Sequence, residues 1–303
     1  MQNNISVLIE PDFARYEMQH ALTNIFEPRR RVKDARFHFH EVVRETRLTG
    51  VNKETGQKIE ERVTLTFLVP YSLNPQAESI LLAIVKLAGM DGLRIEPDQP
   101  MLPLFNATEG DARQKSTVKT TCTKHKILKI AGIGVDNKNY KLLDFYLDQL
   151  ATVTVKWENH ADGWKGRSHL MDYATNEDGS LIVQLNWRLA GVMLGSYQYA
   201  MIDLNERRAL AKDPSKTLHR WLSAHLWAGK AEYITYEKLI GHIWTQEASG
   251  STQRMRLNRL KHEILPELNE LPQWTVEMGK DRARISHHKE PKTTRANSDA
   301  DSR

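Results

Sequence analysis

The feature that most constrains this chain is a run of elements that occurs twice. The stretch "NPQAESILLAIVKLAG" begins with Asn-Pro at 74 and ends at Gly89, and "DPSKTLHRWLSAHLWAG" begins with Asp-Pro at 213 and ends at Gly229. Asparagine or aspartate before proline suits a helix start, and glycine suits a helix end. The sequence therefore predicts a punctuated helix at the start of each of two units.

The elements after these two helices follow the same order. The first unit continues with a strand at 93–97, the helices "CTKHKILKIAG" and "NKNYKLLDFYLDQL", and the strands "TVTVKWEN" and "RSHLMDYAT" around a glycine-rich turn at 162–166. The second continues with the strand "EYIT", the helix "YEKLIGHIW", a helix over 247–270, and two strands around a turn at 279–281. Helix, strand, helix, helix, hairpin is the winged-helix order. The pattern therefore predicts an α+β fold with two tandem winged-helix domains.

The remaining segments complete the predicted domain organisation. Residues 1–35 are predicted to be an N-terminal arm with one short helix near 13–26. Two strand-like stretches, at 36–45 and 62–70, open a first winged-helix domain over 36–180, and the second domain covers 181–288. Residues 289–303, "KEPKTTRANSDADSR", contain no apolar residue larger than alanine and are predicted to be a disordered tail.

Composition excludes several classes of protein. The net charge of +5 is only mildly basic, so the local placement of charge must decide whether nucleic acid is a partner. Cys122 is the only cysteine, which excludes an internal disulfide and a cysteine metal cluster and favours the cytoplasm. No stretch approaches the roughly 20 apolar residues of a membrane span, so no membrane partner is expected.

The third helix of the second unit, "EASGSTQRMRLNRLKHEILPELNE", carries its charges in an unusual order. After Glu247 its basic residues come first and the next acidic residue is Glu263, although a helix N-terminus prefers acids. An apolar stripe predicts its buried side: Leu257, Leu260, Ile264, Leu268 and Leu271. Arginine, asparagine and serine are side chains that contact DNA bases and phosphates. The predicted DNA-binding residues are Ser251, Thr252, Arg254, Met255, Arg256, Asn258, Arg259, Lys261 and His262, with Lys280, Arg282 and Arg284 from the hairpin.

A solvated helix face is the alternative interpretation of this basic cluster, and for a single cluster it is the usual one. Three observations favour DNA instead. The basic side chains lie near the helix N-terminus, where the helix dipole disfavours positive charge. The helix is the second of a helix-turn-helix pair, and a basic hairpin follows it. The equivalent helix of the first unit carries Asp144 and Asp148, which DNA would repel. The first domain is therefore predicted to make protein contacts and only peripheral contacts to the DNA backbone.

A metal-dependent nicking enzyme is a further alternative. The "HFH" motif at 38–40 places two histidines on one face of a strand, as in some nucleases. Such enzymes also use a tyrosine with lysine three residues later, and none of the nine tyrosines fits this spacing. Alternation of Phe37 and Phe39 with the histidines also describes an ordinary half-buried strand. No Walker motif or nucleophile elbow occurs, so we expect no catalytic residue, metal or cofactor.

Several blocks in one order support a resemblance to a known family. "YATNEDGSLIVQLN" (173–186), "ERRAL" (206–210), "TLHRWL" (217–222), "WTQEASGST" (244–252), "LPEL" (265–268) and "WTV" (274–276) resemble replication protein C, the iteron-binding replication initiator of IncQ-type plasmids. The resemblance implies two winged-helix domains and no enzymatic activity. It also implies binding to iterons in a plasmid origin, opening of the origin, and help in loading a plasmid helicase and primase.

The resemblance places the DNA-reading helix at 251–259. This sequence departs from the family pattern at Met255, Leu257 and Asn258, so the repeat that it recognises is open. A winged-helix transcriptional regulator that uses the same helix on an operator is the alternative function. A homodimer is left open as a further partner.

Overall fold

The computed structural model describes residues 12–28, 39–51, 58–70, 73–91, 93–95, 117–160, 163, 165–194, 197–245 and 248–289. The chain opens with a short strand that runs directly into a helix, followed by a long hairpin. These elements are β1 (Phe13–Glu17), α1 (Met18–Leu22), β2 (Phe39–Val51) and β3 (Lys58–Pro70).

The first unit follows the hairpin. Its elements are α2 (Pro75–Asp91), β4 (Leu93–Ile95), β5 (Thr117–Cys122), α3 (Lys124–Ala131), α4 (Asn137–Thr152), β6 (Thr154–Asn159), β7 (Lys165–His169), β8 (Met171–Thr175) and β9 (Leu181–Leu185). Asn74 starts α2 as predicted, because its side-chain oxygen accepts from the backbone N–H groups of Gln76 and Ala77 at 3.0 and 3.1 Å. The helix continues past Gly89 to Asp91, two residues beyond the predicted end.

Three short elements connect the units, and the second unit completes the chain. The connection comprises α5 (Trp187–Met193), β10 (Tyr199–Asp203) and α6 (Leu204–Ala209). The second unit comprises α7 (Asp213–His225), β11 (Lys230–Thr235), α8 (Tyr236–Ile243), α9 (Gly250–Arg259), a π-helical turn (Leu260–Ile264), α10 (Leu265–Asn269), β12 (Trp274–Met278) and β13 (Arg282–His287).

The two units share one strand arrangement. The second unit has the sheet order β11-β13-β12, and the first has β4-β5-β9-β8, so β5, β9 and β8 correspond to β11, β13 and β12. The two three-stranded orders therefore match, with β5 rather than the predicted strand at 93–97 as the counterpart of β11. The predicted hairpin of the first unit forms between β6 and β7, but it belongs to a different sheet from β5. Strand "RSHLMDYAT" divides into β7, which joins the sheet β2-β3-β6-β7, and β8, which pairs with β9.

Two clusters of buried side chains form the interior. The first extends from Ala14 to Leu204 and includes Ala224, and the second extends from Leu210 to Ile285. The domain boundary predicted at 180/181 would separate β8 from β9, but these two strands pair in one sheet. The first core ends and the second begins after α6. Most of the predicted tail, 290–303, lies outside the described residues.

The N-terminal segment differs most from its prediction. Residues 13–17 form a strand that pairs with β10, and the helix is confined to 18–22 rather than 13–26. Tyr16 and Phe26 are fully buried. The described part of the predicted arm, 12–28, is therefore an integral part of the core.

Candidate nucleic-acid interface

The helix predicted over 247–270 runs from 250 to 269 in the structure, as α9, the π-helical turn and α10. Glu247 lies outside the described residues. Proline at 266 has no N–H to donate to the carbonyl of His262, so the α-helical register is interrupted there, and the π-helical turn lies directly before it. The first half of the helix is exposed, whereas the part after the change of register carries the buried apolar residues.

The predicted apolar stripe is confirmed in the second half. Leu260, Ile264 and Leu268 are fully buried, and Leu271 is nearly so. Leu257 is only partly buried and packs against the second core. No residue of α9 is buried. The first half of the helix is therefore anchored mainly through Leu257 and through the residues that follow it.

The side chains of α9 and the following turn make one polar surface, which we call the basic face. Its exposed members are Ser251, Thr252, Arg254, Met255, Asn258 and His262, and its half-buried members are Arg256, Arg259 and Lys261. Met255 is 54% exposed, so an apolar side chain lies among the polar ones. The structure thus brings together nine of the predicted site residues.

Aromatic rings hold three of these cations. The guanidinium carbons of Arg256 and Arg259 lie 5.5 and 6.0 Å from the centroid of the Trp244 ring. The Lys261 ammonium lies 4.3 Å from the centroid of the Tyr236 ring. Such contacts attract a cation through the ring quadrupole. Trp244 and Tyr236 were not predicted as site residues, although their places at the ends of the predicted helix "YEKLIGHIW" are the signal that could have identified them.

Arg259 is less outward-facing than predicted. Its Nε lies 3.8 Å from a carboxylate oxygen of Glu263, one helical turn later, and only 39% of its side chain is exposed. Arg254, by contrast, is exposed and has no ion pair or hydrogen bond among the described residues. Arg254 is therefore the arginine of this face most available to an external anion.

The hairpin turn extends the basic face. Lys261 Nζ donates to the carbonyl of Lys280 at 3.3 Å, and the Tyr236 hydroxyl donates to the carbonyl of Gly279 at 2.7 Å. These bonds fix the 279–281 turn against α8 and the π-helical turn. Lys280 is exposed beside Lys261 and belongs to the same surface.

Arg282 and Arg284 occupy a different surface. They alternate along β13 with Ala283 and Ile285, which are fully buried, so the two arginines project from the outer face of the sheet. Arg284 pairs with Glu277 at 3.1 Å, and Arg282 lies 5.0 Å from the centroid of the Tyr233 ring. The sequence grouped Lys280, Arg282 and Arg284 together, but the structure separates the turn from the strand.

The equivalent helix of the first unit carries acids that already have partners. Asp144 pairs with Lys124 at 2.6 Å, and Asp148 accepts a hydrogen bond from Tyr173. The buried stripe predicted for α4 is confirmed at Leu143, Tyr146, Leu147 and Leu150.

The structure also locates the residues that were considered for a metal site, a reactive thiol or a membrane span. His38 lies outside the described residues, and among the described ones no three His, Cys, Asp or Glu side chains are grouped to hold a metal ion. Cys122 is buried, and burial raises the pKa of its thiol to about 11. In the described part of the chain, no helix is both long and apolar enough to cross a membrane.

Comparison with known proteins identifies one family. A family model described as "Replication protein C (RepC)" matches residues 56–289. No curated protein matches the chain significantly. Two crystal structures of domains 2 and 3 of RctB are similar over 86% of this chain. One has 10% identity, 93% coverage of that chain and a TM-score of 0.47. The other has 9% identity, 92% coverage and a TM-score of 0.45.

Proposed function

Because this chain belongs to the replication protein C family, we propose that it is a plasmid replication initiator that binds iterons, repeated duplex sites in a plasmid origin. The observation that carries the proposal is the basic face. Helix α9 presents arginine, asparagine and serine side chains to solvent and buries none of them. A helix of this kind fits the major groove of DNA, where these side chains hydrogen-bond to base edges and phosphates.

We further infer that each unit is a winged-helix domain. The inference is supported by the strand order that the units share, β5-β9-β8 and β11-β13-β12, and by the helices between the first strand and the hairpin. In this interpretation α9 is the recognition helix and the 279–281 turn is the wing tip. Lys280 then contacts a phosphate next to the groove that α9 enters.

The proposal divides the work between the units. The second unit selects the sequence through the basic face, whereas the first unit makes protein contacts and peripheral contacts to the DNA backbone. The protein acts in the cytoplasm by binding and deforming DNA, without catalysis, metal or cofactor. A plasmid helicase and primase are its proposed protein partners, and a homodimer is a further proposed assembly.

The test is footprinting of the full chain on DNA that carries the origin of its own plasmid. We expect protection of several directly repeated sites, with hyper-reactive bases in the neighbouring AT-rich segment. Protection of a single operator next to a promoter would favour a transcriptional regulator instead. Cleavage of supercoiled origin DNA in the presence of a divalent metal would favour a nicking enzyme.

A further inference from the structure

The N-terminal segment, residues 12–28, contacts the end of α8 and the residues just after it, which lead into the basic face. Asn24 is nearly buried, and its side-chain amide donates to the carbonyls of His242 and Ile243 at 3.0 Å each. These are the last two residues of α8. The carbonyls of a last helical turn have no donor within the helix. Asn24 therefore caps α8 from a position 218 residues earlier in the chain.

A second residue of the same segment binds the backbone just after α8. The Glu27 carboxylate accepts from the backbone N–H of Thr245 at 2.8 Å, and Glu27 is 4% exposed. Thr245 follows Trp244, the ring that carries Arg256 and Arg259. Fixing the backbone at 244–245 therefore also fixes the position of the Trp244 ring, against which Arg256 and Arg259 lie.

The segment is itself held by buried charges. Arg220 donates to the carbonyl of Thr23 at 2.8 Å and to the Asn24 side chain at 3.2 Å. The same guanidinium lies 3.2 Å from Glu78 of α2, and both side chains are almost completely buried. A buried arginine that lost its partners would keep its desolvation cost, so this arrangement resists displacement. A continuous path of contacts runs from α2 through Arg220 and Asn24 to the end of α8.

We propose that Asn24 and Glu27 are positioning residues that set the direction of α9 for DNA recognition. The inference rests on the proposed function and assigns a role to the N-terminal segment. Because no side chain of α9 is fully buried, its direction depends on the contacts of Leu257 with the second core, on the Trp244 ring and on the residues after it. Asn24 and Glu27 hold the backbone at 242–245, which carries Trp244, from the side of the first core. The N-terminal segment thereby contributes to sequence selection without contacting a base.

The test compares four variants of the full chain with the wild type. Asn24→Ala removes the two donated hydrogen bonds, and Glu27→Ala removes the acceptor for Thr245. Glu27→Gln keeps an acceptor oxygen at the same place and is the conservative variant. Gln19→Ala is the matched control, because Gln19 lies in the same segment but accepts from Arg44 of β2.

Two measurements distinguish positioning from a general loss of stability. The first is affinity for an origin-repeat duplex and for a scrambled duplex of equal length. The second is backbone hydrogen exchange over 244–259. Asn24→Ala and Glu27→Ala should lower the ratio of the two affinities by about tenfold, as the loss of one or two hydrogen bonds implies. Affinity for the scrambled duplex should hold, and exchange should accelerate, while Glu27→Gln and Gln19→Ala resemble the wild type.

Several outcomes would overturn the proposal. An unchanged affinity ratio and unchanged exchange in both alanine variants would do so. A parallel loss of both affinities and of melting temperature would show that the residues act only on stability. If Asn24→Ala failed to fold, the two Glu27 variants would decide. If the wild type did not prefer any origin duplex, the proposed function would fail, and exchange would still decide whether the two residues hold the turn.

Discussion

At the scale of single residues, side chains of the basic face differ in how firmly they are held. Arg256 and Arg259 lie against the Trp244 ring, and Arg259 also faces Glu263. Arg254 is exposed without such contacts among the described residues. Preorganised cations lose less side-chain freedom on binding than free ones do. We therefore propose that Arg256 and Arg259 act as preorganised cations on the proposed DNA surface and that Arg254 is free to reach a base edge or phosphate.

Replacing Arg254 should weaken recognition at a defined place in the repeat. We expect Arg254→Ala to cost about 1–3 kcal/mol of binding free energy on the matched repeat and to relax preference at one or two base pairs. Titration of singly mutated repeats measures both effects. Arg62→Ala is the control, because Arg62 is an exposed arginine in the β2–β3 hairpin and does not belong to the basic face. An equal loss of binding free energy in the Arg254→Ala and Arg62→Ala variants would mean that Arg254 contributes only net charge.

Replacing Lys280 should have a different signature. Lys280→Ala removes an exposed ammonium from the hairpin turn while leaving the backbone carbonyl that accepts from Lys261. Because a phosphate contact carries no sequence information, binding to all duplexes should weaken alike, and the slope of log affinity against log salt should shrink by about one unit. Binding isotherms at several salt concentrations test this. A change of base preference without a change of slope would contradict the assignment.

At the scale of elements, the apolar periodicity of the third helix predicted its buried side, and the predicted stripe is confirmed at four of its five positions. Leu260→Ala should lower the free energy of unfolding by about 2–5 kcal/mol, because it leaves a cavity in the second core. Leu257→Ala is the matched control, since Leu257 belongs to the same stripe but is only partly buried and should cost less. Denaturant unfolding of both variants gives the comparison. Loss of DNA binding by Leu260→Ala without loss of stability would contradict this orientation of the helix.

Local signals predicted most elements but not how distant strands pair. Asn74 before α2, Pro75 at its first position and the charge order of α9 are local, so the sequence predicted both helices closely. The β8–β9 hairpin, whose turn spans 176–180, is also local but was not predicted. The pairing of β1 with β10, by contrast, joins distant residues whose contact is set by the whole fold, and it was missed. Likewise, nothing in the sequence near Asn24 shows that its amide caps α8, because the partner lies 218 residues away. Trp244 was missed because its role depends on Arg256 and Arg259, which lie 12 and 15 residues later in the sequence.

At the scale of the whole molecule, buried charged and polar groups connect the two cores. Arg207 of α6 pairs with Glu78 at 2.7 Å, and Glu206 of the same helix accepts from the Trp274 ring nitrogen at 2.8 Å. Glu78 belongs to the first unit and Trp274 to the second. Adjacent residues of α6 thus contact both units, and loss of either partner would leave a buried group unsatisfied. This connection makes concerted unfolding of the two units the expected behaviour.

Two histidines, the fully buried His20 and the half-buried His242, should make the stability of the whole molecule depend on pH. Burial lowers the pKa of His20 to about 4 and that of His242 to about 4, from an ordinary value of 6.5. The unfolded chain therefore takes up protons first, so stability is fully present above about pH 6.5 and is lost as the pH falls toward 4. His20, which is fully buried, should alone contribute about 3 kcal/mol to this loss.

Urea unfolding between pH 7 and 4 measures this dependence. His20→Gln should flatten the decline, whereas His125→Gln, at an exposed position of α3, should leave it unchanged. A stability that stayed constant from pH 7 to 4 would contradict the burial of neutral histidines.

The central claim, that the basic face reads repeated duplex DNA, is tested most directly by salt-dependent binding of the full chain to an origin repeat and a scrambled duplex. The wild type should prefer the repeat, and each phosphate contact should add about 0.9 to the steepness of the log–log salt dependence. The double variant Arg254→Ala, Asn258→Ala should lose the preference for the repeat while still binding both duplexes in a salt-dependent way. Affinity independent of salt, or a full preference for the repeat in the double variant, would contradict the claim.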